Sequence, residues 1–343
     1  MKMKINIKFN YTFVLLGLLA LVLFVFSVMR FSMLWRLSIW RSMTMQFPEY
    51  GVMALGVMLC FIIGCIDVSF VALGNFATIM SFLFVSRVLA IPEENAGMAA
   101  ILLIFFALII GALCGLLNGN LISRLGIPPI VATLSTQMLF TGITIAFTRG
   151  DAIMGIPPIF SEIGRKTIYG LLSVPLLVFI IVFLFCAFLL KYTAFGKKLL
   201  MIGSNPKAAR FSAIDTARII NLTFMLSGII VTIGTLLMVA NMNAARAGVG
   251  ASYLMRCILI LVLAGVLPSG GMGKIMNVLI SIITIQVIAS GVNMFHQLNA
   301  FYGSLISAVL LLIVLVATSY MTGERKSRKT EDVDVGDKEP SSA

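Results

Sequence analysis

The sequence predicts an all-α protein that crosses a membrane about ten times. Of its 343 residues, 60% are hydrophobic and only 11% are charged, and the mean hydropathy is +1.09. The apolar runs are continuous and reach the roughly 20 residues that a helix needs to cross a hydrocarbon core. A membrane β-barrel would show short alternating segments instead, so we expect helices to be the spanning elements.

Ten stretches have the length and composition of membrane-spanning helices. The first follows the basic segment MKMKINIKFN and so resembles a signal peptide. No A-x-A-like cleavage site follows it, and we therefore expect a retained helix. The predicted spans cover residues 12–29, 49–66, 68–90, 97–118, 128–148, 169–190, 220–241, 257–271, 275–295 and 301–320.

The basic residues predict the orientation of the chain. They give a net charge of +12 but lie mainly between apolar runs, where they act as topology signals rather than as a nucleic-acid surface. Both ends of the chain are basic, and an even number of spans puts both termini on the cytoplasmic side. We expect one membrane domain, residues 1–322, followed by a disordered charged tail at 323–343.

One segment conflicts with this topology. The stretch RFSMLWRLSIWRSMTMQFPEY, residues 30–50, carries three arginines but falls on the outer side. Its two tryptophans favour an amphipathic helix lying in the membrane interface. A partly inserted hairpin is the alternative, and it would change the number of spans.

Two of the predicted spans contain residues that break helices. GVMALGVMLCFIIGCIDVSF includes glycines and Asp67, and LAGVLPSGGMGK clusters a proline with three glycines. Irregular backbone inside a membrane often borders a transport path. Asp67, taken as the only acidic residue deep in an apolar stretch, is expected to cap the next helix, with ion coupling or substrate binding as the alternative.

The segment GALCGLLNG spaces Gly111, Gly115 and Gly119 four residues apart, on one face of a helix. Such a face allows a second helix to come close. We expect it to pack within the bundle, rather than to form a dimer contact.

The sequence gives little support for catalysis. It has one histidine, His296, at the expected outer end of a helix, and it has no P-loop and no pattern of nucleophile and base. Its five cysteines lie singly in apolar stretches and are expected to pack in the core. We therefore expect neither an enzyme nor a bound metal or cofactor.

Uncharged polar side chains are scattered through the spans. Amides and hydroxyls suit a neutral, polyhydroxylated solute, although they also form hydrogen bonds between helices. The residues predicted to line a translocation path are Asp67, Asn75, Gln137, Asn241, Gln286 and Asn293.

The most hydrophilic internal stretch, FGKKLLMIGSNPKAARFSAID, lies in a cytoplasmic loop at 191–219. A turn is expected at Gly196 and another at Gly203–Pro206, followed by a short helix. Either Ser204 or Asn205 is expected to cap that helix, with Pro206 at its first position. The short helix would present a docking surface to a cytoplasmic partner; a solvated loop that only fixes topology is the alternative.

TAFGKKLLMIGSNPKAARFSAI resembles the cytoplasmic coupling loop of permease subunits in ribose-type bacterial ABC importers. Three further segments resemble that family in the same order: MALGVMLCFIIGCIDVS, GALCGLLNGNLISRLGIPPIVATLSTQMLFTGI and ASYLMRCILILVLAGVLPSGGMG. The resemblance covers nearly the whole chain. The residues that it assigns to coupling with the ATPase are Gly203, Asn205, Pro206, Ala208, Ala209, Arg210 and Ser212.

The resemblance implies an ATP-driven importer of a monosaccharide or sugar-like solute in the bacterial inner membrane. Its partners would be a cytoplasmic ATPase, an extracytoplasmic solute-binding protein and a second permease subunit. Cys65, Ala264 and Arg256 depart from the family pattern, which favours a non-identical second permease, as in systems that import autoinducer-2 or pentoses. A permease for nucleosides or another polar solute and an ion-coupled carrier are the alternatives.

Overall fold

A computed structural model describes residues 11–89, 91, 95–153, 158–168, 172–295, 305 and 309. These residues form twelve α-helices, a π-helical turn at Phe84–Val88 that extends α3, and two short strands, β1 (Thr167–Ile168) and β2 (Leu172–Ser173). The helices are α1 (Tyr11–Leu34), α2 (Leu37–Ile62), α3 (Phe70–Leu83), α4 (Ala96–Ser123), α5 (Pro129–Thr148), α6 (Pro158–Arg165), α7 (Val174–Tyr192), α8 (Ala194–Ser204), α9 (Pro206–Phe211), α10 (Thr216–Met242), α11 (Ala251–Leu263) and α12 (Ile275–Asn293).

The all-α membrane fold is confirmed. Within the described part of the chain, eight helices are long and apolar enough to cross a membrane: α1, α2, α3 with its π-helical extension, α4, α5, α7, α10 and α12. Helix α11 has 13 residues and is about 20 Å long, which is short of a full crossing. The predicted tenth span at 301–320, the tail and His296 lie outside the residues that the structure describes, apart from positions 305 and 309.

The predicted start of the second span near residue 49 is wrong. Helix α2 begins twelve residues earlier, at Leu37, and continues through Pro48. Residues 37–50 of the expected interfacial segment therefore belong to the same helix as the span, whereas residues 30–34 form the end of α1. A proline lacks the N–H that would bond the carbonyl four residues before it, here that of Thr44. The Ser173 hydroxyl donates a hydrogen bond to this carbonyl at 2.6 Å, so the helix tolerates the proline.

Helix α2 lies at the centre of the bundle. All its residues from Pro48 onward are buried, and α7, α10, α11 and α12 pack around it. Glycines bring α10 close: a Cβ atom on Gly56 would lie 3.1 Å from the Ser227 carbonyl oxygen, and one on Gly234 would lie 2.8 Å from that of Glu49. The backbones of α2 and α10 therefore lie close together, with few side-chain atoms between them.

Helices α4 and α10 make an equally close contact. A Cβ atom on Gly115 would lie 2.9 Å from the Phe224 carbonyl carbon, and one on Gly228 would lie 3.1 Å from that of Gly111. The prediction that the glycine series of α4 packs within the bundle is confirmed. The cysteines are also buried as predicted, at positions 60, 65, 114, 186 and 257.

Both predicted helix breaks are confirmed as non-helical segments. One, residues 63–69, connects α2 to α3, and the other, residues 264–274, connects α11 to α12. Strands β1 and β2 form a two-stranded antiparallel pair before α7. Ile153 and Ala245 form an isolated bridge that joins the loops after α5 and α10.

The contact between α4 and α10 predicts the effect of adding a side chain at Gly115. Leucine would overlap the Phe224 carbonyl, and we expect Gly115→Leu to lower stability by about 1–3 kcal/mol or to prevent folding. Gly17→Leu is the control, because a Cβ atom at Gly17 meets nothing within 4 Å. Unfolding of the purified variants in SDS measures the difference; equal stability would contradict the close packing.

Candidate functional site

The loop that the sequence assigns to coupling contains two helices, α8 and α9. The Thr193 hydroxyl accepts a hydrogen bond from the Gly196 backbone N–H at 3.1 Å and starts α8. Gly196 is therefore helical, and the predicted turn there is wrong. Its missing side chain serves packing instead, since a Cβ atom would lie 2.6 Å from the Leu190 Cα atom.

The short second helix of this loop is confirmed. The Asn205 side-chain oxygen accepts a hydrogen bond from the Ala208 N–H at 3.0 Å, and Pro206 occupies the first position of α9. Asn205 is therefore the cap, whereas the Ser204 hydroxyl donates to the Leu200 carbonyl within α8. We call residues 194–212 the docking segment.

The docking segment presents one face outward. Phe211 is 93% exposed, an unusual environment for a large aromatic side chain in a polar loop. Five of the predicted coupling residues are also exposed: Asn205, Pro206, Ala208, Arg210 and Ser212. The other two, Gly203 and Ala209, are buried, and Ala209 is only 2% exposed. These two residues pack the segment against the bundle.

Two of the predicted path residues lie together. Asn75 on α3 and Gln137 on α5 line a cavity of about 70 Å³, which we call the amide pocket. Thr141 and Thr144 add hydroxyls, and the start of α11 forms the remaining wall. Asn75 donates a hydrogen bond to the Val249 carbonyl at 2.8 Å. Gln137 makes no hydrogen bond with any residue that the structure describes.

The other four predicted path residues lie elsewhere. Asn293 lines a separate cleft of about 210 Å³ between the ends of α1, α2 and α12. Gln286 accepts a hydrogen bond from the Tyr50 hydroxyl and faces α2. Asn241 bonds to a carboxylate within the bundle. The structure therefore does not gather the six residues into one site.

The expectation that Asp67 caps α3 is wrong: the cap position is Ser69, and Asp67 instead forms an Asx turn with Ser69 just before the helix. One carboxylate oxygen accepts hydrogen bonds from the Ser69 backbone N–H at 2.9 Å and from the Ser69 hydroxyl at 2.7 Å, directly before α3. The Asn118 amide donates to the same hydroxyl at 2.8 Å. These contacts hold the start of α3 against α4.

Comparison with known proteins identifies the family of the chain. A family described as branched-chain amino acid transport system / permease component matches residues 40–315. The chain belongs to this permease family. It is 30% identical over 320 residues to the autoinducer 2 import system permease protein LsrD of Yersinia enterocolitica, covering 91% of this chain and 93% of the relative. It is 29% identical over 315 residues to LsrD of Yersinia pseudotuberculosis, covering 90% and 91%. No solved structure matches the chain at a significant level.

Glu49 is a second buried acidic residue in the permease. It is 2% exposed and lies inside α2, so the expectation that Asp67 is alone in such a position is wrong. Its carboxylate accepts hydrogen bonds from the Asn241 amide on α10 and, at 2.7 Å, from the Tyr253 hydroxyl on α11. The Arg256 guanidinium lies over the Tyr253 ring, 5.6 Å from its centroid. We call these residues the Glu49 cluster.

One sequence pattern is typical of such a cluster. Tyr253 and Arg256 are three residues apart, so they share a face of α11, and both are unusual side chains in an apolar helix. The burial of Glu49 was not predicted, because the predicted span began at that residue. The cluster fixes the start of α11, which forms a wall of the amide pocket.

Removing one hydroxyl tests the Glu49 cluster. Tyr253→Phe leaves a buried carboxylate oxygen without its donor, and we expect a loss of about 1–3 kcal/mol in stability. Tyr192→Phe is the matched control, because Tyr192 is 67% exposed. Unfolding in SDS compares the two variants. Equal stability would show that the Tyr253 hydrogen bond contributes nothing to the fold.

Proposed function

We propose that this permease is the membrane subunit of an ATP-driven importer for a monosaccharide or sugar-like solute. An extracytoplasmic binding protein delivers the solute, and a partner ATPase hydrolyses ATP in the cytoplasm. The observation that carries the proposal is the amide pocket, whose polar side chains are amides and hydroxyls. The names of the two relatives support a signal molecule of the autoinducer-2 type as cargo.

The chemistry of the amide pocket favours an uncharged cargo. The family description names branched-chain amino acids, which carry both an ammonium and a carboxylate group. Moving such charges out of water is costly unless each one finds a partner. The residues that line the pocket supply no charged side chain, but their amides and hydroxyls match the hydroxyl groups of a sugar.

A second permease subunit completes the path in this proposal. The amide pocket, at about 70 Å³, is much smaller than the roughly 300–1,000 Å³ of typical ligand pockets, so one chain supplies only part of a solute site. Beside the pocket, α5 exposes Val131, Leu134 and Met138, which offer an apolar face to the second subunit. The departures at Cys65, Arg256 and Ala264 favour a non-identical subunit.

The ATPase binds the docking segment in this proposal. The capped helix α9 offers Phe211 and Arg210 on its exposed side, an aromatic and a charged group suited to a protein groove. The docking segment then lies in the cytoplasm, together with both termini, and the membrane is the bacterial inner membrane.

An ion-coupled carrier is less well supported. The Asp67 carboxylate, the coupling group that such a carrier would use, accepts hydrogen bonds from Ser69 just before α3. The Glu49 carboxylate bonds to Asn241 and Tyr253. Neither acid lines the amide pocket.

Replacing Phe211 tests the docking segment. Ala209→Glu is not a suitable test, because it would place a charge inside the fold. Phe211→Ala removes only an exposed ring and is the test variant. We expect Phe211→Ala to reduce the amount of P-loop ATPase that co-purifies with the permease from mild detergent by about tenfold, the effect of losing a strong interface contact. Phe24→Ala, at a residue 66% exposed on α1, should not change it.

Mass spectrometry of the same samples identifies the partners. A second, different permease is expected in each preparation. Two copies of this chain without another permease would contradict the proposal that the second subunit is a different protein. Equal recovery of the ATPase with Phe211→Ala would contradict the proposal that the ATPase binds the docking segment.

Uptake by cells tests the cargo. We compare labelled ribose, autoinducer-2, adenosine and leucine in cells that lack or express the permease, and we expect ATP-dependent uptake of ribose or autoinducer-2. Gln137→Leu removes the free amide of the pocket and should lower this uptake about tenfold, the effect of roughly 1.4 kcal/mol. Met29→Leu, at an exposed position on α1 away from the pocket, is the control.

Two results would contradict this assignment. Uptake of leucine alone would show that the cargo is charged. Uptake that survives ATP depletion but stops with a protonophore would show an ion-coupled carrier.

A further inference from the structure

Three separate parts of the chain meet backbone to backbone at one point. They are the end of α2 with the following turn, the end of α8, and the turn that precedes α12. The Gly271 N–H donates a hydrogen bond to the Ile62 carbonyl at 2.8 Å, which joins the first part to the third. We call the four glycines that allow this meeting the glycine junction: Gly64, Gly203, Gly270 and Gly271.

Side chains are excluded from the glycine junction. A Cβ atom on Gly203 would overlap the Ile62 carbonyl oxygen. One on Gly270 would lie 2.7 Å from the Gly64 nitrogen and 3.0 Å from the Gly203 carbonyl oxygen. Gly270 also has a φ of +79°, which a residue with a side chain adopts only with strain. At the four glycines the three parts are therefore in direct main-chain contact.

The glycine junction connects the docking segment to both sides of the amide pocket. Gly203 lies two residues before the Asn205 cap of α9. Gly64 leads into α3, which carries Asn75 of the pocket. Gly270 follows α11, whose first residue, Ala251, lines the pocket wall.

Main-chain contacts transmit displacement better than contacts between side chains. A side chain can change rotamer and absorb a movement of its neighbour, whereas two closely packed backbones must move together. Asn205 separates α9 from α8, so a displacement of α9 that moves α8 reaches the turns after α2 and α11 through main-chain contacts.

We propose that the glycine junction transmits movement of the docking segment to the helices that border the amide pocket. Gly203 and Gly270 are positioning residues in this role, since neither contacts solute or nucleotide. The inference rests on the proposed function, because it assumes that an ATPase binds the docking segment.

Alanine substitutions test the glycine junction in the whole complex. The permease is purified with its partners, placed in liposomes with the binding protein, and assayed with ribose or autoinducer-2 for ATP hydrolysis and uptake. With Gly203→Ala and with Gly270→Ala we expect the ATPase to stay bound and to hydrolyse ATP. Uptake per ATP hydrolysed should fall about tenfold, within the usual range of coupling between sites.

A matched control separates the effect of the main-chain contact from the effect of a side chain at a positive φ angle. Gly126 also has a positive φ, +69°, but a Cβ atom there meets nothing within 4 Å. Gly126→Ala should leave uptake per ATP unchanged. Unchanged uptake per ATP with Gly203→Ala and Gly270→Ala would overturn the proposal. Loss of the ATPase with these variants would also overturn it, since the junction would then only support the docking surface.

Hydrogen exchange on the unmodified complex provides a test that needs no variant. ATP binding should change amide exchange in the docking segment and, together with it, in residues 63–69 and 264–274. A change confined to the docking segment would overturn the glycine junction as the link. Absence of any ATPase from the unmodified complex would instead overturn the proposed function, and that result appears before a variant is made.

Discussion

The burial of helix α2 is the constraint on which the rest of the permease depends. A helix inside a membrane that touches protein on all sides has neither water nor lipid to complete its contacts. Neighbouring helices must therefore surround it closely, which the glycines at 56 and 234 permit for α10. The polar groups of α2 must also find partners within the protein, and Glu49 obtains them from α10 and α11.

The same helix links the two functional regions. Glu49 and Ile62 are thirteen residues apart, a distance of about 20 Å along the helix. Near its middle, α2 holds the start of α11 through the Glu49 cluster, and at its end it meets the docking segment through the glycine junction. Helix α2 is thus a buried helix that connects the Glu49 cluster to the glycine junction. Such a connection suits a protein in which partner binding at the docking segment must change the amide pocket.

Patterns among neighbouring residues predicted local features of the structure. Contacts between residues far apart in the chain were predicted less well. The cap of α9 follows from Asn205 and Pro206, which act within a few residues of the helix that they start. The glycines of α4 predicted a close contact but not that α10 would be the partner. Helix α2 was predicted twelve residues too short because its tolerance of Pro48 depends on Ser173, which is 125 residues away in the chain. The amide pocket and the Glu49 cluster likewise depend on pairings that no local pattern reveals.

Helix α1 has a consequence for how the permease is made. It packs mainly against α12, and the Tyr11 hydroxyl bonds to the Leu263 carbonyl, 252 residues later in the chain. At typical rates of synthesis this separation corresponds to about 10–50 s. During that time α1 lies in the bilayer without α12. Its exposed aromatic and aliphatic side chains can contact lipid instead. Although α1 is synthesised well before α12, it is therefore among the last helices to reach its final packing.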